Sequence, residues 1–124
     1  MLSRRSVLIT GAAFTVATAS GARGHHGWTW AEGELVDVTG VIKSAKLGNP
    51  HGLLTVTAKD GDWTVEVGQP WRNERAGLKD SMLARGVTLT VRGNRTKDPK
   101  LKVIKAVRVI IDGKNYDLYP ERIS

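Results

Sequence analysis

The chain has no cysteine. Disulfides, thiolate metal sites and thiol nucleophiles are therefore excluded, and any metal held here must use nitrogen and oxygen ligands. Histidine is nearly as scarce: His25, His26 and His51 are the full set. With one Phe and two Tyr, the aromatic weight rests on four Trp. Residues 7–19 are the nearest approach to a membrane span, and they are too few and too rich in Gly, Ala and Thr to be one. Recognisable catalytic sets are also missing: no Ser-His-acid context, no phosphate loop, no carboxylate pair fixed by spacing. Catalysis is accordingly the class with least support. A copper oxidase built on a histidine brace would need His25 as first residue, a second imidazole and an open position on the metal.

What the chain does have begins at its amino terminus. Ser3-Arg4-Arg5-Ser6-Val7-Leu8 opens a basic start, then an apolar stretch, then small residues, which is the layout of a twin-arginine export signal. The expectation is a signal peptide over 1–24, one small domain over 25–124, and a periplasmic location. The 124 residues carry 19 basic and 12 acidic side chains, a net +7. Arg4, Arg5 and Arg23 belong to the targeting segment, so the remainder is only moderately basic.

Small residues at minus three and minus one allow two cleavage points. A cut after Gly24 makes His25 the first residue; a cut after Ala22 leaves Arg23-Gly24-His25. In the first case an α-amine and an imidazole can chelate one ion, half of a histidine brace. In the second, amine, two deprotonated amides and imidazole make a square-planar nitrogen set. Both suit the tetragonal preference of Cu(II). Because the amine titrates near about pH 8 when unperturbed, metal binding must release protons and weakens in acid.

Beyond the histidine pair the pattern is that of strands. Leu35 to Ser44 alternates Val36, Val38, Gly40 and Ile42 against Asp37, Thr39 and Lys43. Gly40 interrupts the apolar face, as a bend or bulge would. Leu53 to Ala58 and Trp63 to Val67 follow, joined through Asp60-Gly61, a hairpin signal. Pro70 to Ala76 reads as a short helix ended by Gly77, and Asp80 to Leu83 as a second turn. Val87 to Arg92 and Lys102 to Ile111 return to strand, the latter with Val103, Val107, Val109 and Ile111 on one face. A turn at Asp112-Gly113 leads into Tyr116 to Leu118. Three strands, a helix and two strands predict an all-β fold, a five-stranded OB-fold-like barrel with its helix between strands three and four. A small sandwich is the competing arrangement.

His25-His26 after the signal, Val-Thr-Gly-Val-Ile at 38–42, Asn49-Pro50-His51, Trp63-Thr-Val-Glu-Val, and the Leu83 to Gly93 segment together resemble a family of exported bacterial proteins of unknown function. The resemblance implies a periplasmic OB-like domain and no defined activity. Where that family looks to have Ser after the histidine pair, this chain has Gly27. A looser similarity is to periplasmic OB-fold stress proteins, which are binding modules.

The candidate metal site is therefore His25, His26 and His51, with copper(II) or a similar divalent ion as cofactor. His51 follows Pro50 in the first interstrand loop, which borders the usual OB binding face. Glu66 and Asp37 are possible neighbours without a spacing argument. The bland alternative is a polar tail and a turn whose imidazole caps a backbone group. Trp28 and Trp30, at alternate positions, would share one side of an extended segment; Trp63 and Trp71 are expected to close the core. Arg92, Arg95, Lys97, Lys100, Lys102, Lys105 and Arg108 gather around the loop between strands four and five. Such a loop can bind nucleic acid, but export argues against that partner, and a solvated face is the simpler reading. The expected function is periplasmic metal handling or buffering. The alternative is a metal-free module for a peptide, glycan or anionic envelope component or a periplasmic protein, without stable membrane insertion.

Overall fold

The computed structural model describes residues 28–123. The expected signal segment and the His25-His26 pair lie outside the described residues. Strands β1 (Leu35–Lys46), β2 (Leu53–Ala58) and β3 (Gly61–Glu66) precede helix α1 (Pro70–Arg75). A 3-10 turn over Asp80–Leu83 leads to β4 (Thr88–Arg95), β5 (Val103–Ile111) and β6 (Lys114–Asp117), and a last 3-10 turn covers Pro120–Arg122. The strand order is β3-β2-β1-β4-β5-β6, and a parallel β3–β5 pairing closes the first five into a barrel. This is the predicted five-stranded arrangement with its helix between β3 and β4, plus one extra strand hairpinned onto β5. Among the described residues no helix is long and apolar enough to cross a membrane.

Closure depends on β1, which serves two neighbours in turn. Its residues 35–41 pair with β4 and its residues 40–46 with β2, so Gly40 belongs to both ladders. A Cβ there would run into the Thr57 carbonyl, which is why glycine stands at the crossover. The sequence placed a bulge or bend at Gly40. The register shift itself falls between Ile42 and Ser44, and Gly40 supplies the close approach.

The interior is apolar: Val38, Ile42, Leu54, Val56, Trp63, Val65, Leu89, Val91, Ile104 and Val109 are all buried, and Leu78 and Leu83 add to them from the segment after α1. The Asp112-Gly113 turn has both residues at positive φ, 52° and 76°, as a tight hairpin requires. At the other hairpin the loop residues are Lys59 and Asp60, and only Gly61 has positive φ.

Three sequence expectations fail locally. In β5 the predicted inward face of Val103, Val107, Val109 and Ile111 does not run the length of the strand. The ladder with β4 passes from Arg92↔Arg108 to Gly93↔Ala106, leaving Val107 as the extra residue. One inserted residue exchanges the faces, so Ile104 and Ala106 fill the interior and Lys105 takes the outer face. Trp71 does not close the core: it is 49 % exposed, whereas Trp63 is buried as expected. Trp28 and Trp30 are not on an extended segment, because a 3-10 turn spans Thr29–Ala31.

Candidate functional site

The β2–β3 ladder brings the one described histidine to a carboxylate. Leu53 pairs with Glu66, and two backbone hydrogen bonds, Gly52 N–H to Gly68 (3.3 Å) and Val67 N–H to Gly52 (2.9 Å), extend the ladder past the strand ends. His51, in the loop between β1 and β2, thus comes to stand beside Glu66. Its Nδ1 is 3.6 Å from Glu66 Oε2. That is an electrostatic contact, longer than a hydrogen bond.

Glu66 has the opposite parity to the inward Trp63 and Val65, so it leaves the barrel on the outer face. It is nevertheless only 1 % exposed. The parallel register sets it opposite Lys105, equally buried, and Lys105 Nζ donates to Glu66 Oε2 at 2.7 Å. Neither charge could be buried alone without a large desolvation cost; together each supplies the other's counter-ion. Gly93 opposes this stretch of β5 because a Cβ there would meet the Lys105 carbonyl.

The chain leaving β3 is tied down by Asn73 of α1, whose amide both accepts from the Gly68 N–H (2.9 Å) and donates to its carbonyl (3.1 Å). Tyr119 completes the cluster. Its ring lies 5.9 Å from Lys105 Nζ and 4.1 Å from the Arg72 guanidinium. Burial pushes its phenol up from the usual value, Arg72 opposes that, and the charges of Glu66 and Glu121 add to it.

The arrangement is a carboxylate with two cationic or cation-capable neighbours, one of them an imidazole at the edge of solvent. The carboxylate charge near Nδ1 favours the tautomer with its proton there and leaves Nε2 as the nitrogen able to bind a metal. Because Lys105 already occupies Glu66, the carboxylate orients better than it ligates. Among the described residues no group of three His, Cys, Asp or Glu side chains is gathered as a metal cage. Of the predicted ligands His51 is thus located, and His25 and His26 lie outside the described residues. Of the two possible neighbours, Glu66 is beside His51 and Asp37 is engaged elsewhere. Sequence reasoning missed Lys105 and Tyr119. The available signal was a lone lysine inside the apolar run Val103-Ile104-Lys105-Ala106-Val107, which needs a buried partner or a strand edge.

The predicted basic cluster is largely paired. Asp37, Arg92, Arg108 and Asp117 stand opposite one another across β1, β4, β5 and β6. Arg92 grips Asp37 through Nε and Nη2 at 2.8 and 3.0 Å, and Arg108 Nε donates to Asp117 at 2.6 Å. The hydrogen bond from Arg92 holds the Asp37 carboxyl below its ordinary value, with the Arg92 and Arg108 charges adding to the effect. Arg95 donates to the Pro99 and Leu101 carbonyls and stacks 5.1 Å from the Trp63 ring, ordering the β4–β5 loop. Lys97 lies 3.6 Å from Glu32.

Among solved structures, the fold is similar to that in the crystal structure of the ZRD-deleted mutant of TiaS in complex with agmatine, with TM-score 0.52 and 15 % identity. The match covers 68 % of this chain and 26 % of that one, so the chain spans about a quarter of its length. A complex of TiaS with a tRNA, AMPCPP and agmatine is aligned at TM-score 0.49 and 16 % identity over 63 % of this chain and 18 % of that one. At such identity the likeness is one of fold. No curated protein sequence matches the chain. A family model does match, over residues 13–105, and the chain belongs to that family, the family of unknown function DUF6152.

Proposed function

We propose that this is an exported periplasmic protein that binds a Cu(II)-type ion through His25, His26 and His51, and that it handles or buffers metal. The observation that carries the reading is the imidazole of His51 beside a fixed carboxylate, 3.6 Å from Nδ1 to Glu66. Metal-binding histidines are commonly oriented by a carboxylate on the other ring nitrogen. The absence of cysteine restricts the site to nitrogen and oxygen ligands, and the histidine pair follows a segment with the layout of a twin-arginine signal.

The test is native mass spectrometry of the mature protein recovered from the periplasm, with one equivalent of Cu(II). One retained copper, lost in His25→Ala and weakened at least about tenfold in His51→Ala, is the expected result, a change of about 1.4 kcal/mol. Measuring the intact mass also fixes the start, at Arg23 or His25. Failure to retain copper with either start would leave the metal-free binding module as the function.

A further inference from the structure

His51 and Glu66 approach each other where the β2–β3 ladder runs out. Past its last paired residues, Leu53 and Glu66, Gly52 continues the contact: it accepts from the Val67 N–H at 2.9 Å and donates to the Gly68 carbonyl at 3.3 Å. The second distance lies just beyond the usual range for an N–H donor. The position of Gly68 therefore governs how firmly the residue next to His51 is held.

Gly68 is placed from the other side by α1. The Asn73 amide accepts from its N–H at 2.9 Å and donates to its carbonyl at 3.1 Å, the same carbonyl that Gly52 uses. Two bonds to one residue fix it in translation and in rotation. Asn73 is 3 % exposed, and its own carbonyl accepts from the Leu78 N–H at 2.9 Å, so the amide projects from a fixed backbone. Space along this path is tight. A Cβ on Gly68 would stand 2.8 Å from Asn73 Oδ1, and one on Gly52 would stand 2.8 Å from the Val67 side chain. The preceding residue of α1 serves the other half of the contact: Arg72 packs 4.1 Å from the Tyr119 ring, which lies 5.9 Å from Lys105 Nζ, and Lys105 holds Glu66.

We propose that Asn73 is a positioning residue for His51: by fixing Gly68, and through it Gly52, it keeps the imidazole beside Glu66 and so sets how tightly His51 can hold an ion. The consequence for metal rests on the copper-binding reading above; the consequence for the imidazole does not. A purely structural amide would stabilise the fold without favouring any state of the His51 ring.

The experiment follows the ring nitrogens of His51 by NMR in the metal-free mature protein carrying isotope-labelled histidine, and then titrates Cu(II) at pH 7 against a competing chelator. His51→Ala identifies the signals. In the parent they should show the proton held at Nδ1; in Asn73→Ala they should move toward the values of a histidine in a short peptide, while the buried Trp63 indole stays in place. Copper should bind about tenfold more weakly to Asn73→Ala, the lower end of what partners standing behind a metal ligand contribute. That loss should vanish when Asn73→Ala is made in the His51→Ala protein. Should Asn73→Ala fail to fold, Gly52→Ala tests the same link with Asn73 intact, because its methyl would press on Val67; the same change in the His51 ring is expected. Unmoved His51 signals in a folded variant overturn the proposal, as does an equal loss of copper affinity in the His51→Ala background. A parent protein that retains no copper overturns the metal-handling reading instead, and the ring signals then decide the role of Asn73.

Discussion

Two ion pairs join neighbouring strands of the same barrel, and they have opposite characters. Asp37–Arg92 is a bidentate cross-strand pair on a wet face, while Glu66–Lys105 is a single short contact with both side chains buried. The surface pair has the better geometry. In water, however, solvent competes for each charge and side-chain entropy opposes the contact, so the net effect is small. The inner pair has little solvent to fall back on, so each partner is indispensable to the other even though an apolar pair of similar volume could be as stable. Good hydrogen-bond geometry and structural importance are thus separate quantities, and burial decides between them. The inner pair is also the one next to His51.

Three changes would break or sharpen this contrast. The largest effect is expected from Lys105→Met, which removes the buried cation facing Glu66 and should cost about 3–5 kcal/mol in urea unfolding near pH 7. Replacing both partners, as Glu66→Leu with Lys105→Met, should restore stability to about that of the parent; a double variant as weak as the single one would contradict the account. Next comes Gly93→Ala, whose methyl would meet the Lys105 carbonyl. A loss of about 1–3 kcal/mol is expected from forcing β4 and β5 apart. Replacing it with serine should be no better, since the clash begins at Cβ.

The smallest effect belongs to Asp37→Asn, which should barely move the urea midpoint at pH 7. Its signature lies in acid. The Asp37 carboxyl is lower in the folded chain than its usual value, so its contribution is present above about pH 4 and is lost as pH falls through the folded value. Stability curves of parent and variant, measured from pH 7 downward, should therefore converge only below about pH 4.

Much of the barrel could be read from residue order. Alternation located β2 in full, Pro70 and Gly77 bracketed α1, and Asp112-Gly113 marked the last hairpin, because each of these signals is local and acts within a few residues. Trp63, a large aromatic at the start of a strand, was placed correctly in the core. Trp71 was not, since a helix of six residues has no periodicity long enough to say which side faces the core. Lys105 was counted among surface cations for a related reason. Its burial follows from a bulge at Val107, and a bulge is a relation between two strands that neither strand's pattern contains.

The site divides along the same line. His51 was identified from its loop, but its nearness to Glu66 depends on the Leu53↔Glu66 register, and the identity of the buried cation on the parallel β3–β5 pairing. By itself the sequence determined the succession of strands, the helix position, the absence of thiol chemistry and the family. Only tertiary structure decided which charges are buried, which tryptophan faces water and which carboxylate meets the histidine. Local conformation is governed by short-range propensity and periodicity, whereas burial and pairing are governed by contacts between residues as far apart as Glu66 and Lys105, where a shift of one position exchanges the two faces of a strand.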